Sequence, residues 1–242
     1  ARVSSVREEK IPLFVDADVT DLVEENGQID GVKVKMKDDK EKTVKAKAVV
    51  VTTGGFGANE KLITQYKPEL KNYVTTNQEG TTGDGIQMIQ KVGGALVDMK
   101  EIQIHPTVQQ SDAFLIGEAV RGEGAILASQ KGERFVNELD TRDKVSAAIN
   151  ALPEKSAYLV FDQGVRDRAK AIDFYDQKGF AEKGETIEEL AEKIGMPADT
   201  LKATIDTWNQ DVNAKDDKQF GRTTGMEADL STAPYYAIKI AP

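Results

Sequence analysis

Apolar and polar residues alternate through the first fifty positions, and the alternation changes character along the way. The segments "IPLFVDADVTDLVEE", "IDGVKVKMKD" and "TVKAKAVVVTTGG" read as strands, separated by a turn at Asn26-Gly27 and by the charged turn "DKEK". Val32, Val34 and Met36 alternate with Lys33, Lys35 and Lys37, which predicts a half-solvated strand with its lysines facing water. "AVVVTTGG" is instead a continuous β-branched run ending in paired glycines. That pattern predicts a strand buried on both faces that delivers a backbone turn to a ligand or a helix, although a plain tight turn after a core strand accounts for the same glycines.

Helical periodicity follows. "NEKLITQY" carries Asn59 as an N-cap and is stopped by Pro68, and "GIQMIQKV" ends at Gly93-Gly94. Gly80, Gly83 and Gly85 stand directly before that second helix, where freed backbone N–H groups and the helix dipole favour an anion. Their spacing matches neither G-x-G-x-x-G nor a P-loop. "EIQIH" alternates, "SAYLVFD" reads as a strand, and "VSAAI" reads as helix. In the C-terminal third, Thr186 and Glu189 form a capping box, and Gly195 with Pro197 stops that helix. Leu201, Ile205, Trp208 and Val212 mark the apolar face of the next helix and place Trp208 in the core. Two helices about a glycine turn resemble a DNA-reading pair, but Asp199, Asp206 and Asp211 on the second would repel phosphate.

Composition narrows the picture. The 242 residues, 39% of them hydrophobic, are enough for one large or two ordinary domains of a globular chain. A formal net charge of −9 argues against a general binder of nucleic acid. The absence of cysteine removes disulfide and thiol chemistry, and cytoplasmic and exported locations are both compatible with it. No apolar run approaches the roughly 18 residues that a membrane span needs. The chain does not start with Met, and an alternating strand is barely under way where it ends, at "YYAIKIAP"; both are expected of a piece of a longer polypeptide.

The candidate chemistry lies between positions 105 and 143. His105 is the chain's one histidine, so a zinc site would have to rest on carboxylates, and metal is set aside. A core role and a reaction-site role both remain open for it on pattern alone. Glu118 and Arg121 are three residues apart, so a helical turn in "GEAVRG" would put them on one face to share a salt bridge or a proton. Such pairs are commonly solvated surface features. Here the surrounding apolar residues and glycines favour a site instead. "ERFVNELDTRDK" holds Arg142 and Asp143 in a polar turn just before a helix.

Taken in order, "AVVVTTGGFGAN", "TTGDGI", "QIHPTV", "GEAVRGEGAIL" and "GERFVNELDTRDK" resemble the flavoprotein subunit of the soluble fumarate reductases, within the succinate dehydrogenase and fumarate reductase flavoprotein family. The resemblance runs from about residue 8 to the last residue. It implies an α+β chain: part of an FAD-binding α/β domain at 1–99, a capping domain at 100–236, and a return to the FAD domain at 237–242. It also implies FAD as cofactor, with Thr53, Gly54 and Gly55 against it and Thr82, Gly83, Asp84 and Gly85 approaching it. His105 would hydrogen-bond a substrate carboxylate. Arg142 would be the acid beside the double bond, and Glu118 with Arg121 would relay protons to it. The partners implied are fumarate or succinate, or a similar dicarboxylate, and an electron donor.

Three departures qualify the resemblance. The family's N-terminal G-x-G-x-x-G and its βαβ unit are absent. A second active-site histidine and a further arginine are expected beyond "YYAIKIAP". Gly117 stands where many of these reductases have threonine. The 242-residue chain by itself is therefore expected to bind FAD weakly or not at all and to turn over nothing. A related reductase or dehydrogenase of another unsaturated carboxylate or a ketosteroid is the alternative within the class. A non-catalytic binding module is the alternative outside it.

Overall fold

The computed structural model describes residues 9–242 and divides them into two compact units. Of the described residues, the first comprises 9–71 and Asn77–Glu101, and the second Asn72–Thr76 and Ile102–Pro242. Helix and strand are mixed in the α+β manner expected.

In the first unit, strands β1 (Ala17–Glu25), β2 (Gln28–Met36) and β3 (Glu41–Lys45) form an antiparallel meander. Asn26 and Gly27 both take positive φ at the β1–β2 turn, the left-handed pair that matches strand twist in a two-residue hairpin. Val34 is buried while Lys33, Lys35 and Lys37 are exposed, as the alternation requires. Gly31 opposes Lys45, and a Cβ there would sit 2.1 Å from the Val44 carbonyl oxygen, so β3 can approach only glycine.

Two expectations for this unit fail. Residues 11–16 precede the first strand rather than joining it, and 46–56 form no strand. Val50 is 84% exposed, whereas the β-branched run predicted a strand buried on both faces. The physical reason is pairing: no other strand lies beside this run among the described residues, and an unpaired backbone gains nothing from extended geometry.

Helix α1 (Glu60–Tyr66) starts where Asn59 Oδ1 accepts the Leu62 N–H at 3.0 Å. Asn59 Nδ2 also donates to the Thr82 carbonyl at 2.8 Å, tying α1 to the glycine-rich loop. Helix α2 (Asp84–Lys91) follows that loop and buries Gly85 and Met88.

The second unit contains the large core. Its sheet has the order β6-β7-β9-β8, antiparallel throughout, from β6 (Ile126–Ala128), β7 (Ala157–Asp162), β8 (Ala181–Gly184) and β9 (Tyr235–Ile240). Every residue of β7 is buried. Residues 237–242, set apart in the sequence reading, lie in this unit, most of them in β9. A short hairpin of β4 (Val108–Gln109) and β5 (Phe114–Leu115) leads into helix α3 (Glu118–Gly122). Helix α4 is Arg142–Ala151, α5 is Gln163–Arg168 and α6 is Ala171–Gln177.

Helices α7 (Ile187–Ile194) and α8 (Ala198–Ala214) cover the core. Thr186 Oγ1 accepts the Glu189 N–H at 3.1 Å, half of the predicted box, while Glu189 reaches back to the N–H of Glu185 rather than of Thr186. Gly195 ends α7 in the left-handed conformation, and Leu201, Ile205, Trp208 and Val212 are buried along α8 as their spacing predicts. No helix among the described residues is long and apolar enough to cross a membrane.

Candidate active site

Hairpin register brings the first pieces together. The Ile116 N–H donates to the Thr107 carbonyl at 2.9 Å, and Thr107 Oγ1 donates to the Ile116 carbonyl at 2.8 Å. Continued two residues outward, the same pairing sets His105 across from Glu118. "EIQIH" is therefore not an isolated strand but the approach to a β4–β5 hairpin that carries one site residue on each arm.

His105 is half-buried, and its Nδ1 accepts the Thr107 N–H at 3.3 Å. Burial, then the charges of Arg121 and Arg142, push its pKa down to about 4. The ring is neutral at pH 7, and with Nδ1 used as an acceptor its proton resides on Nε2, a donor.

Arg142 is the first residue of α4 behind the N-cap Thr141, rather than a residue of the turn ahead of the helix. Its Nη1 donates to Gln103 Oε1 at 2.8 Å and its Nη2 to Glu118 Oε2 at 3.3 Å. Both members of the Arg142–Glu118 pair are exposed by more than a third, so the pair itself contributes little stability and both groups stay open to a ligand. The ion pair foreseen between Glu118 and Arg121 does not form. Although α3 is helical, the Arg121 side chain turns into the core at 1% exposure and donates to the main-chain carbonyl of Glu138. Burial, more than any neighbouring charge, lowers its pKa, and its Nε and Nη2 have no hydrogen-bond partner. Asp143 is exposed in the first turn of the helix, and its pKa is held below the usual carboxylate range, first by a hydrogen bond with the Thr141 side chain.

The sequence reading passed over Gln103, which holds Arg142, and Tyr175, whose hydroxyl accepts the Gly117 N–H at 3.0 Å. It also passed over a set of buried ions behind Arg121. Arg134 makes a fork on Glu138 at 2.8 and 2.9 Å and another on Asp217 at 3.1 and 2.9 Å. Arg222 Nη1 reaches Glu138 Oε2 at 3.1 Å. The guanidinium carbons of Arg134 and Arg222 lie 4.5 and 4.7 Å from the Trp208 ring centre, so the core tryptophan is stacked by two cations. The signal available for these residues was charge inside an apolar run, as in "GERFVNE", which is weaker than a histidine standing alone.

The other candidate residues lie in the first unit and split into two kinds. Gly83 and Gly85 are buried by the loop's own packing: a Cβ on Gly83 would come within 2.8 Å of Phe56 Cβ, and one on Gly85 within 2.1 Å of Thr53 Oγ1. They bind loop 80–85 to segment 51–56. Thr82 Oγ1 donates to Asp84 Oδ2 at 2.7 Å, so that carboxylate already occupies the first turn of α2. Gly54, in the left-handed region at φ 80°, and Gly55 are exposed, and no atom approaches closer than 4.0 Å to where their Cβ atoms would be. With Thr53 they form an open backbone shelf, which fits the close approach of a flat or anionic cofactor.

Comparison with known proteins gives the family of the chain. A family model described as an FAD binding domain matches residues 1–242. The chain is 46% identical over 241 residues to an NADH:fumarate oxidoreductase of Klebsiella pneumoniae (strain 342), covering 99% of this chain and 26% of that protein. It is 41% identical over 221 residues to a fumarate reductase (cytochrome) of Shewanella frigidimarina, covering 91% of this chain and 38% of that one. Among solved structures, the open conformation of a flavocytochrome c3 fumarate reductase aligns with a TM-score of 0.75 at 35% identity, over 99% of this chain and 42% of the other. The chain thus spans between about a quarter and two fifths of the length of these relatives. With the family model matched from end to end, the chain belongs to the FAD binding domain family, and fumarate-reducing flavoproteins are among its relatives.

Proposed function

We propose that this chain is part of an FAD-dependent reductase of α,β-unsaturated dicarboxylates, reducing fumarate to succinate. In this reading the unit of residues 72–76 and 102–242 is the capping domain, and the other unit contributes the Thr53–Gly55 shelf and loop 82–85 to FAD binding. The observation that carries the proposal is the meeting of Arg142, Glu118 and His105 at the mouth of one hairpin, with a buried and incompletely bonded Arg121 behind them.

With FAD held against Thr53–Gly55 and loop 82–85, the bound cofactor in its reduced form would supply a hydride to one alkene carbon. The residues of this chain supply the rest. His105 Nε2–H donates to a substrate carboxylate, and a neutral ring does so without adding a cation that would have to be shed with product. The Arg142 guanidinium delivers the proton to the second alkene carbon, which together with the hydride completes the saturated product. An arginine releases a proton only where another arrives, because its intrinsic affinity for the proton is so high. Glu118 Oε2, at 3.3 Å from Arg142 Nη2, returns that proton, and Arg121, eased toward release by burial, continues the path. Positive charge at Arg142 and Arg121 also stabilises the negative charge that builds toward the substrate carboxylate during transfer.

The test is turnover of the complete flavoprotein with reduced viologen as electron source, against fumarate, urocanate and cinnamate. Fumarate is expected to be preferred, and no turnover of fumarate would defeat the proposal. A second reading, reduction of a different unsaturated carboxylate, draws on Gly117, which leaves the position before Glu118 without the hydroxyl common among these reductases; preference for urocanate or cinnamate would support it.

A further inference from the structure

Three arginines are buried together in the core of the second unit, and they are bonded very unequally. Arg134 places its Nε, Nη1 and Nη2 on the carboxylates of Glu138 and Asp217. Arg222 is as fully bonded: Nε to the Thr224 carbonyl at 2.9 Å, Nη1 to the Ala125 carbonyl at 2.9 Å and to Glu138, and Nη2 to the carbonyls of Arg121 at 2.6 Å and Gly225 at 2.8 Å. Arg121, equally buried, makes one bond, to the Glu138 carbonyl. A guanidinium has five N–H donors, and a core arginine whose role is stability uses all or nearly all of them, as Arg222 does with five bonds and Arg134 with four. One left with buried donors facing nothing is held in place for something else.

What holds it converges on one residue. Glu138 has no exposed surface, and its side chain takes Arg134 and Arg222 together. Its Oε1 also accepts the Leu127 N–H at 3.2 Å, anchoring the carboxylate to β6. Arg222, pinned by that carboxylate, grips the carbonyl of Arg121 itself. The Arg121 backbone is thus fixed through the Glu138 side chain, and the tip of the Arg121 side chain through the Glu138 main chain. Gly225 closes the arrangement, since a Cβ there would lie 2.6 Å from both Arg222 Nη2 and the Gly122 carbonyl.

We propose that Glu138 is a positioning residue for proton delivery: a fully buried carboxylate fixes both ends of Arg121, leaving Nε and Nη2 available to the proton relay. The inference rests on the relay reading above. The pairing in the cluster agrees with it. Arg134 and Arg222 are bonded to Glu138 and Asp217, so among the described residues Arg121 is the one buried arginine with no carboxylate bonded to it, and the acids whose charge it feels are Glu118 and Glu138.

The experiment uses the complete flavoprotein and measures its two half-reactions separately. In Glu138→Gln, reduction of bound flavin by viologen is expected at the normal rate, with kcat for fumarate down about a hundredfold, the scale set by small misplacement of a catalytic group, and KM within about twofold. Arg222→Lys keeps the buried charge but loses the Nη2 bond to the Arg121 carbonyl; it is expected to show the same split and serves if Glu138→Gln does not fold. A lowered melting temperature with kcat per bound flavin unchanged in the folded variant would overturn the proposal and leave Glu138 a purely structural ion. Arg121→Ala separates the two levels. If it is inactive while the folded Glu138 or Arg222 variant is fully active, the positioning role alone falls; if Arg121→Ala turns over normally, the relay falls and the positioning role with it.

Discussion

The two units of this chain handle their apolar residues in opposite ways. In the second, the core extends from Ile116 and Val120 through all of β7 to Ile238 and Ile240, and even its charged residues Arg134, Glu138 and Arg222 are enclosed and paired. In the first, the buried apolar residues among those described are Val34, Leu70 and Met88, whereas Ile11, Leu13, Phe14, Val15, Val50 and Val97 are largely exposed. The contrast separates two kinds of sequence signal. An amphipathic helix such as α8 states which of its faces is covered, and the core of the second unit supplies that cover. A continuous β-branched run states only that both faces suit burial, and in the first unit nothing among the described residues pairs with it. The functional candidates divide the same way: side chains held by a dense core in one unit, open backbone in the other.

The comparison can be tested first through chemistry. Arg142→Ala, in the second unit, is expected to lower kcat by roughly 10²- to 10⁴-fold, the range for removing a general acid, while flavin absorbance is retained. Gly85→Ala, in the first, drives a Cβ to within 2.1 Å of Thr53 Oγ1 and should instead lower the flavin bound per chain. Loss of flavin in Arg142→Ala, or full flavin in Gly85→Ala, would break the proposed division.

Stability gives the next largest contrast. Trp208→Ala removes the ring between two buried guanidinium groups and is expected to cost about 3–5 kcal/mol in urea unfolding. A loss under about 1 kcal/mol would show that the stacked core is not a keystone of the second unit.

His105 offers a measurement free of overlap, because it is the only histidine. Its proton NMR titration should have a midpoint near 4 instead of the ordinary 6.5. Since the folded pKa lies below the unfolded one, the neutral ring's contribution to stability is complete above about pH 6.5 and is lost as pH falls through about 4. His105→Gln should remove that acid limb from a stability profile. A midpoint near 6.5 would mean that burial and the Arg121 and Arg142 charges do not act on the ring as the geometry requires.

The smallest effect belongs to the first unit. Val50→Ser replaces an exposed side chain and should change stability by under about 0.5 kcal/mol, read by the same urea titration. A cost above about 1 kcal/mol would mean that the β-branched run is covered after all and that the contrast between the units is overstated.

Residue by residue, the legible part of the fold was whatever local chemistry settles. Asn26-Gly27 turns, Asn59 caps α1, Gly195 ends α7, and Leu201 through Val212 line one face of α8, each for reasons contained within a few neighbours. The α+β mixture and the grouping of His105, Glu118 and Arg142 as candidates were likewise readable from pattern and motif. The partnerships among them were not. Spacing alone paired Glu118 with Arg121, because three residues apart means one helix face; the core claimed Arg121 and left Glu118 to an arginine from another helix. Segment 46–56 and the Glu138 cluster show the same limit from two sides. Whether a β-branched run becomes a strand depends on a neighbour, and whether a charged residue in an apolar stretch is tolerated depends on counter-ions 80 or more positions away, as Arg222 and Asp217 are from Glu138 and Arg134. The sequence by itself determined the locally specified turns, caps and amphipathic helices and the family. Tertiary structure alone decided which charges meet and which are buried, because pairing and desolvation belong to contacts between distant segments and to no single stretch of chain.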